Sequence, residues 1–151
     1  MIIVLPIEIK IREFLPKLLL SYSILRKSKK KCKIILGSQR DILTKLNLFN
    51  CIYLDKGSAT MVTWLLERLK KNGNKIFQLD EEGPISEMDK IQKIYRYPDK
   101  VFENVDKFFS WGKRDQEFLK KKTKKKIILS GHPKFDLLEK KNIKFFEDEV
   151  N

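Results

Sequence analysis

Short apolar, β-branched runs recur along this chain, each followed by a stretch with helical spacing, and that alternation restricts the fold more than any other feature. Ile2-Ile3-Val4-Leu5 is closed by Pro6. Glu13 to Lys27 then places Phe14, Leu18, Tyr22 and Leu25 at helical spacing beside Leu15 and Leu19. Pro16 falls near the start of this helix, where a missing N–H costs least, and marks its first turn. Cys32 to Leu36 is a second strand ending at Gly37, and Ser38 caps a helix through Leu46 with Ile42, Leu43 and Leu46 on one face. Cys51 to Leu54 is a third strand. Gly57 and Ser58 open a helix whose apolar face is Met61, Val62, Leu65, Leu66 and Leu69, stopped by Asn72-Gly73-Asn74. A fourth strand, Lys75 to Leu79, runs into Asp80-Glu81-Glu82-Gly83 and a weakly patterned region to Pro98. Beyond it come a short helix over Asp99 to Asn104, strand five over Lys107 to Trp111, a helix over Lys113 to Lys121, strand six over Ile127 to Leu129, and a last helix from Pro133 to Lys141.

Strand-then-helix repeats of this length give an α/β fold, because parallel neighbours need a right-handed crossover and the helices must cover both faces. The expectation is a Rossmann-like parallel sheet with helices on both faces. Its 151 residues make one domain. In such sheets the functional groups sit beyond the carboxyl ends of the strands. That rule selects Pro6 to Arg12, Gly37 to Arg40, Asp55 to Ser58, Asp80 to Gly83, Trp111 to Arg114 and Ser130 to Asp136.

Charge and composition narrow the function classes. There are 33 Lys and Arg against 20 Asp and Glu, a net of +13, which favours phosphate-bearing partners: nucleic acid, nucleotide or an anionic membrane. The same Lys excess, beside abundant Ile, Asn and Phe, also fits an AT-biased genome. Two basic blocks, Arg26 to Lys31 and Lys120 to Lys126, fall between a helix and the next strand, opposite the functional edge. They could suit anionic lipid head groups or nucleic acid, but solvation and the helix dipole explain them without any partner, which is the favoured reading. Two cysteines and one histidine cannot build a zinc site or a disulfide framework, so no metal is expected and a reducing cytoplasm fits. No apolar stretch is long enough to span a bilayer, which leaves peripheral contact as the form any membrane association would take. With no G-x-G-x-x-G after strand one and no G-x-x-x-x-G-K-[ST], neither a dinucleotide dehydrogenase nor a P-loop NTPase is expected, and no cofactor is assigned. The aromatics form no RNA-recognition pattern.

Three constellations carry candidate chemistry. Asp80, Glu81 and Glu82 follow a buried strand, where mutual repulsion raises one pKa and suits it to accept a proton; the same acids would serve as a solvated loop or as helix caps. Glu8, Lys10 and Arg12 alternate after strand one, and an Arg there can pin a carboxylate or phosphate, or simply close an edge with ion pairs. At Ser130-Gly131-His132-Pro133, a glycine lets backbone N–H groups approach an anion at a helix N-terminus. His132 is the one histidine; with no Ser or Cys nucleophile in a recognisable motif, it reads as a structural hydrogen-bonding residue more readily than as a catalyst.

The order of these motifs is similar to that of a known family. Leu5-Pro6-Ile7-Glu8-Ile9-Lys10-Ile11-Arg12-Glu13, Ile34-Ile35-Leu36-Gly37, Ile52-Tyr53-Leu54-Asp55-Lys56, Leu79-Asp80-Glu81-Glu82-Gly83, Phe109-Ser110-Trp111-Gly112 and Ser130-Gly131-His132-Pro133-Lys134-Phe135-Asp136-Leu137-Leu138 stand in sequence. Together they resemble the N-terminal half of the bacterial surface carbohydrate biosynthesis proteins, which are GT-B-type glycosyltransferase-like. The resemblance implies two Rossmann-like halves across a cleft, the sugar-nucleotide donor held by the C-terminal half and a carbohydrate or lipid-linked acceptor by the N-terminal half. Residues 1–141 would be the acceptor-side domain and 142–151 the start of a linker to a second domain absent from this sequence. The chain would then be one half of a surface-polysaccharide enzyme, inactive alone, in the cytoplasm or at the inner face of the membrane. Where the family carries Asn before the Pro of the last motif, this chain has His132; Gly131 and Pro133 are kept. Asp80, Glu81 and Glu82 would line the cleft and deprotonate an acceptor hydroxyl, with Lys10 and Arg12 holding anionic groups. The alternative is a non-catalytic basic module for phosphate or nucleic acid, whose binding would weaken with salt.

Overall fold

The computed structural model describes residues 1–57, 63–83 and 89–139. Six strands form one all-parallel sheet: β1 (Ile2–Ile7), β2 (Lys33–Ser38), β3 (Ile52–Asp55), β4 (Lys75–Gln78), β5 (Lys107–Ser110) and β6 (Lys126–Leu129), in the order β2-β1-β3-β4-β5-β6. The helices are α1 (Lys10–Lys27), α2 (Gln39–Lys45), α3 (Thr63–Lys71), α4 (Lys90–Arg96), α5 (Asp99–Asn104), α6 (Lys113–Lys122) and α7 (Pro133–Asp136). This is the Rossmann-like α/β architecture that the alternating pattern implies.

Alternate strand residues feed two cores. Val4, Tyr53, Ile76 and Phe108 point to one face, where they pack with Ile42 of α2, Leu65, Leu66 and Leu69 of α3, Val101 and Phe102 of α5 and Leu119 of α6. Ile3, Leu5, Leu54 and Leu79 point to the other, against Leu20 and Ile24 of α1 with Phe77, Phe109 and Trp111. Asn74 ties the turn between α3 and β4 to the start of β3. Its side-chain N–H groups donate to the Leu48 and Leu69 carbonyls at 2.8 and 2.9 Å, and its oxygen accepts the Cys51 N–H at 3.0 Å.

The chain lays β2 on one side of β1 and then crosses to lay β3 on the other, so the strand order reverses at β1/β3. The crevice of such a sheet opens beyond the carboxyl ends of those two strands. Pro6 is tolerated in this interior strand because the β1–β3 ladder runs through Ile3↔Ile52 and Val4↔Tyr53, short of the residue that has no N–H to give.

Most strand boundaries lie within a residue or two of the sequence expectation, and three helices differ. α1 begins at Lys10 rather than Glu13, because the Glu13 carboxylate reaches back to accept the Glu8 N–H at 2.9 Å and the Ile9 N–H at 3.4 Å. That contact satisfies donors that the apolar N-cap Ile9 cannot, and it moves Pro16 into the second turn. The weakly patterned stretch before Pro98 contains α4, opened by a capping box in which Asp89 accepts the Gln92 N–H and the Gln92 side chain accepts the Asp89 N–H. α7 is a single turn. The expected opening of the third helix at Ser58 to Val62, and the linker over 142–151, lie outside the described residues.

Candidate functional site

The carboxyl ends of the strands carry a buried ionic cluster built from distant parts of the chain. Lys17, buried on the inner face of α1, donates to the Pro6 carbonyl at the end of β1. Its Nζ also lies 3.1 Å from Glu13 Oε2 and 3.2 Å from Glu81 Oε1. The second oxygen of Glu81 is 3.1 Å from His132 Nε2, although the ring N–H is not aimed along that line. His132 Nδ1 accepts the Lys134 N–H at 3.2 Å and so caps α7. One lysine and one imidazole thus face two carboxylates, in a setting where unpaired charge is costly.

The electrostatics follow from these partners. Burial raises the Glu13 carboxyl, but the Glu8 N–H, Lys17 and Arg12 outweigh it and hold the pKa at about 2. Burial likewise opposes ionisation of Glu81, while the neighbouring His132 and the Lys17 charge bring its pKa below the ordinary value. Glu81 is therefore a carboxylate at neutral pH.

The three consecutive acids are separated by the structure. Asp80 is buried and accepts from Arg96 Nη2 at 2.8 and 2.9 Å, from the Tyr97 hydroxyl at 3.0 Å and from the Glu82 N–H at 2.8 Å. Burial pushes its carboxyl upward in pKa against the pull of Arg96. Glu82 is exposed and pairs with Arg96 Nη1. Both flanking acids thus hold α4 to the sheet, and Glu81 alone turns toward α1 and α7. Gly57 makes room for this arrangement. Its φ is +107°, and a Cβ there would meet Arg96 Nη2 at 2.6 Å and Asp80 Oδ2 at 2.9 Å.

The first-strand residues form the rim. Glu8, largely exposed, pairs with the buried Lys56 at the end of β3, bridging the point where strand order reverses. Lys10 is exposed, and Arg12, partly exposed, donates to Glu13 Oε1 at 3.0 Å. Gly131 adopts φ +71°, and Pro133 is the first residue of α7. The expected backbone anion contact finds its donors already engaged. The Gly131 N–H goes to the Ser110 carbonyl at 3.1 Å, the Lys134 N–H to His132 Nδ1, and the Phe135 N–H to the His132 carbonyl at 3.0 Å.

Three contributors had no role in the sequence reading, although Trp111 and Lys134 fall in strand-end segments that it selected. Lys17 looks like an ordinary surface partner of Glu13 one turn away, and spacing does not reveal that both are buried. Trp111 donates its indole N–H to the Asp80 carbonyl at 2.7 Å and lies 4.6 Å from the His132 ring centre. Lys134 Nζ sits 4.0 Å over the Trp111 ring, and burial, with the nearby Arg12 charge, lowers its pKa. Beneath this edge a cavity of about 180 Å³ is lined by Leu20, Leu54, Leu79, Phe109 and Pro133, with Asp136 at its border. The edge thus offers a fixed carboxylate, two cations, an aromatic face and an apolar recess.

Among the described residues no group of three His, Cys, Asp or Glu side chains is arranged to hold a metal ion, and no helix is long and apolar enough to cross a membrane. No family model, curated protein or solved structure matches the chain.

Proposed function

We propose that the chain is the acceptor-side half of a GT-B-like glycosyltransferase of surface-polysaccharide assembly, and that its carboxyl edge receives the acceptor. The observation that carries this reading is the placement of Glu81. Of three adjacent acids it is the one turned toward α1 and α7, and it is ionised; it is also buried with its oxygens beside Lys17 and His132, so it takes a proton from an acceptor hydroxyl that displaces one of these partners. Asp80 and Glu82 support the site by fixing α4 rather than by taking protons. Arg12 and Lys134, the latter seated over the Trp111 ring, hold anionic groups on the acceptor, and the recess beside Gly131 takes its apolar portion. The donor nucleotide belongs to a second half that this reading requires.

The basic-module alternative gains less support. The two basic blocks precede β2 and β6, the outermost strands on opposite sides of the sheet, so roughly 24 Å of sheet at about 4.8 Å per strand separates them. They do not make one continuous footprint.

The test is a titration of the isotope-labelled 151-residue chain with oligosaccharides and lipid-linked saccharides, followed by amide shifts. Binding should move Glu81, Trp111 and His132, and in the enzyme completed by a donor-binding half Glu81→Gln should lower kcat by about 10²- to 10⁴-fold. Shifts absent from this edge with every saccharide, or transfer unchanged by the substitution, would overturn the reading.

A further inference from the structure

α1 carries apolar residues on both sides. Its sheet-facing side mixes Glu13, Lys17 and Ser21 with Pro16, Leu19, Leu20 and Ile24, whereas its solvent side carries Ile11, Leu18, Tyr22 and Leu25, which are 96%, 36%, 56% and 52% exposed. At 100° per residue these four lie within about 60° of one another on the helix, so they form one stripe along its length. The polar residues of the inner face are explained by the ionic cluster that Lys17 and Glu13 complete. Among the described residues nothing covers the apolar outer face, and a stripe of this kind marks a surface that meets something less polar than water.

Charge identifies the partner. The stripe runs into Arg26, Lys27, Lys29, Lys30 and Lys31, all exposed. From Lys10 to Lys31 the sequence holds one acid, Glu13, and it is buried. A second copy of this chain would bring the same cations and no exposed counter-charge from this helix, so self-association through α1 sets like charge against like. A nucleic acid would satisfy the cations but has no use for Ile11, Leu18 and Leu25. An anionic lipid surface satisfies both, because the head groups neutralise the basic end while the acyl boundary accepts the stripe.

We propose that α1 is a peripheral membrane-docking helix that lies in the interface of an anionic bilayer, with the run from Arg26 to Lys31 at the head groups. The inference does not rest on sugar transfer. It places the amino end of α1, and with it the carboxyl edge of the sheet, at the lipid surface.

The test is co-sedimentation of the full chain with vesicles of equal parts phosphatidylcholine and phosphatidylglycerol, against phosphatidylcholine alone. The chain should bind the mixed vesicles and leave the neutral ones in the supernatant. Leu18→Asn with Leu25→Asn, both at exposed positions, should weaken binding at least tenfold, by roughly that order for the apolar area lost. Each of Lys29→Gln, Lys30→Gln and Lys31→Gln should cost roughly fivefold. Far-UV circular dichroism confirms that the variants stay folded. The proposal is overturned if the wild type ignores the mixed vesicles, or if the leucine variant binds as well as the wild type, which would reduce the contact to charge adsorption. It is equally overturned if the wild type is a dimer that this variant converts to monomer, which would assign the face to a second copy.

Discussion

Lys17 is the residue on which the carboxyl edge turns. It neutralises Glu13 within its own helix and Glu81 from β4, and it takes the carbonyl that Pro6 presents at the end of β1. Lys17→Met keeps the length of the side chain and strips the charge, leaving two buried carboxylates with less compensation. The expected cost is about 3–5 kcal/mol, as for breaking a buried pair by removing one partner, and urea unfolding of the two proteins measures it. A loss under 1 kcal/mol would mean that Glu13 and Glu81 are reached by water. Nothing in the sequence distinguishes this pair from a surface one, since Glu13 and Lys17 stand at the spacing of ordinary solvated helix pairs. Asp80, Glu81 and Glu82 were legible as a group from their place after a strand, but their division of labour was not. It depends on Arg96 and Tyr97, which belong to an element that hydrophobic periodicity did not reveal.

That element is α4, which has no buried residue of its own between Lys90 and Arg96. Its apolar residues, Ile91, Ile94 and Tyr95, do stand at helical spacing but span a single turn and stay exposed, so the stronger signal lies in its cap, Asp89 with Gln92 three residues on. Strands, by contrast, were legible to within a residue or two, because burial on a sheet face imposes the period that sequence reading looks for, whereas the start of α1 lay three residues early, where a carboxylate rather than an apolar period sets it. Held by a cap at one end and Arg96 at the other, α4 should respond locally to loss of the cap. Asp89→Ala is expected to cost about 1 kcal/mol and to speed amide hydrogen exchange in Lys93 to Arg96 while leaving β1 and β3 protected. Uniform loss of protection would show that α4 opens only with the whole molecule.

For the molecule as a whole, the buried acids set the response to pH. Glu13 has a folded pKa of about 2 against an ordinary 4.5, so its contribution to stability is fully present above 4.5 and is lost as pH falls toward 2. That amounts to roughly 3 kcal/mol if the whole shift is expressed. Glu81 acts with the same sign, and Asp80, whose pKa is raised, with the opposite one. Thermal melts should therefore lose midpoint between about pH 4.5 and pH 2, and Glu13→Gln should flatten that slope; an unchanged slope would sink the assignment. The order of the sheet has a further consequence for how the molecule is made. β1, β2 and β3 form a contiguous three-stranded unit within residues 2–55, and β4, β5 and β6 add to one side of it in chain order. The ionic cluster joins residues 13, 17, 81 and 132, so until Glu81 follows in the chain Lys17 has Glu13 as its one acid of the cluster. Among the described elements, the edge that carries the candidate site is closed only when α7, the last of them in chain order, is in place.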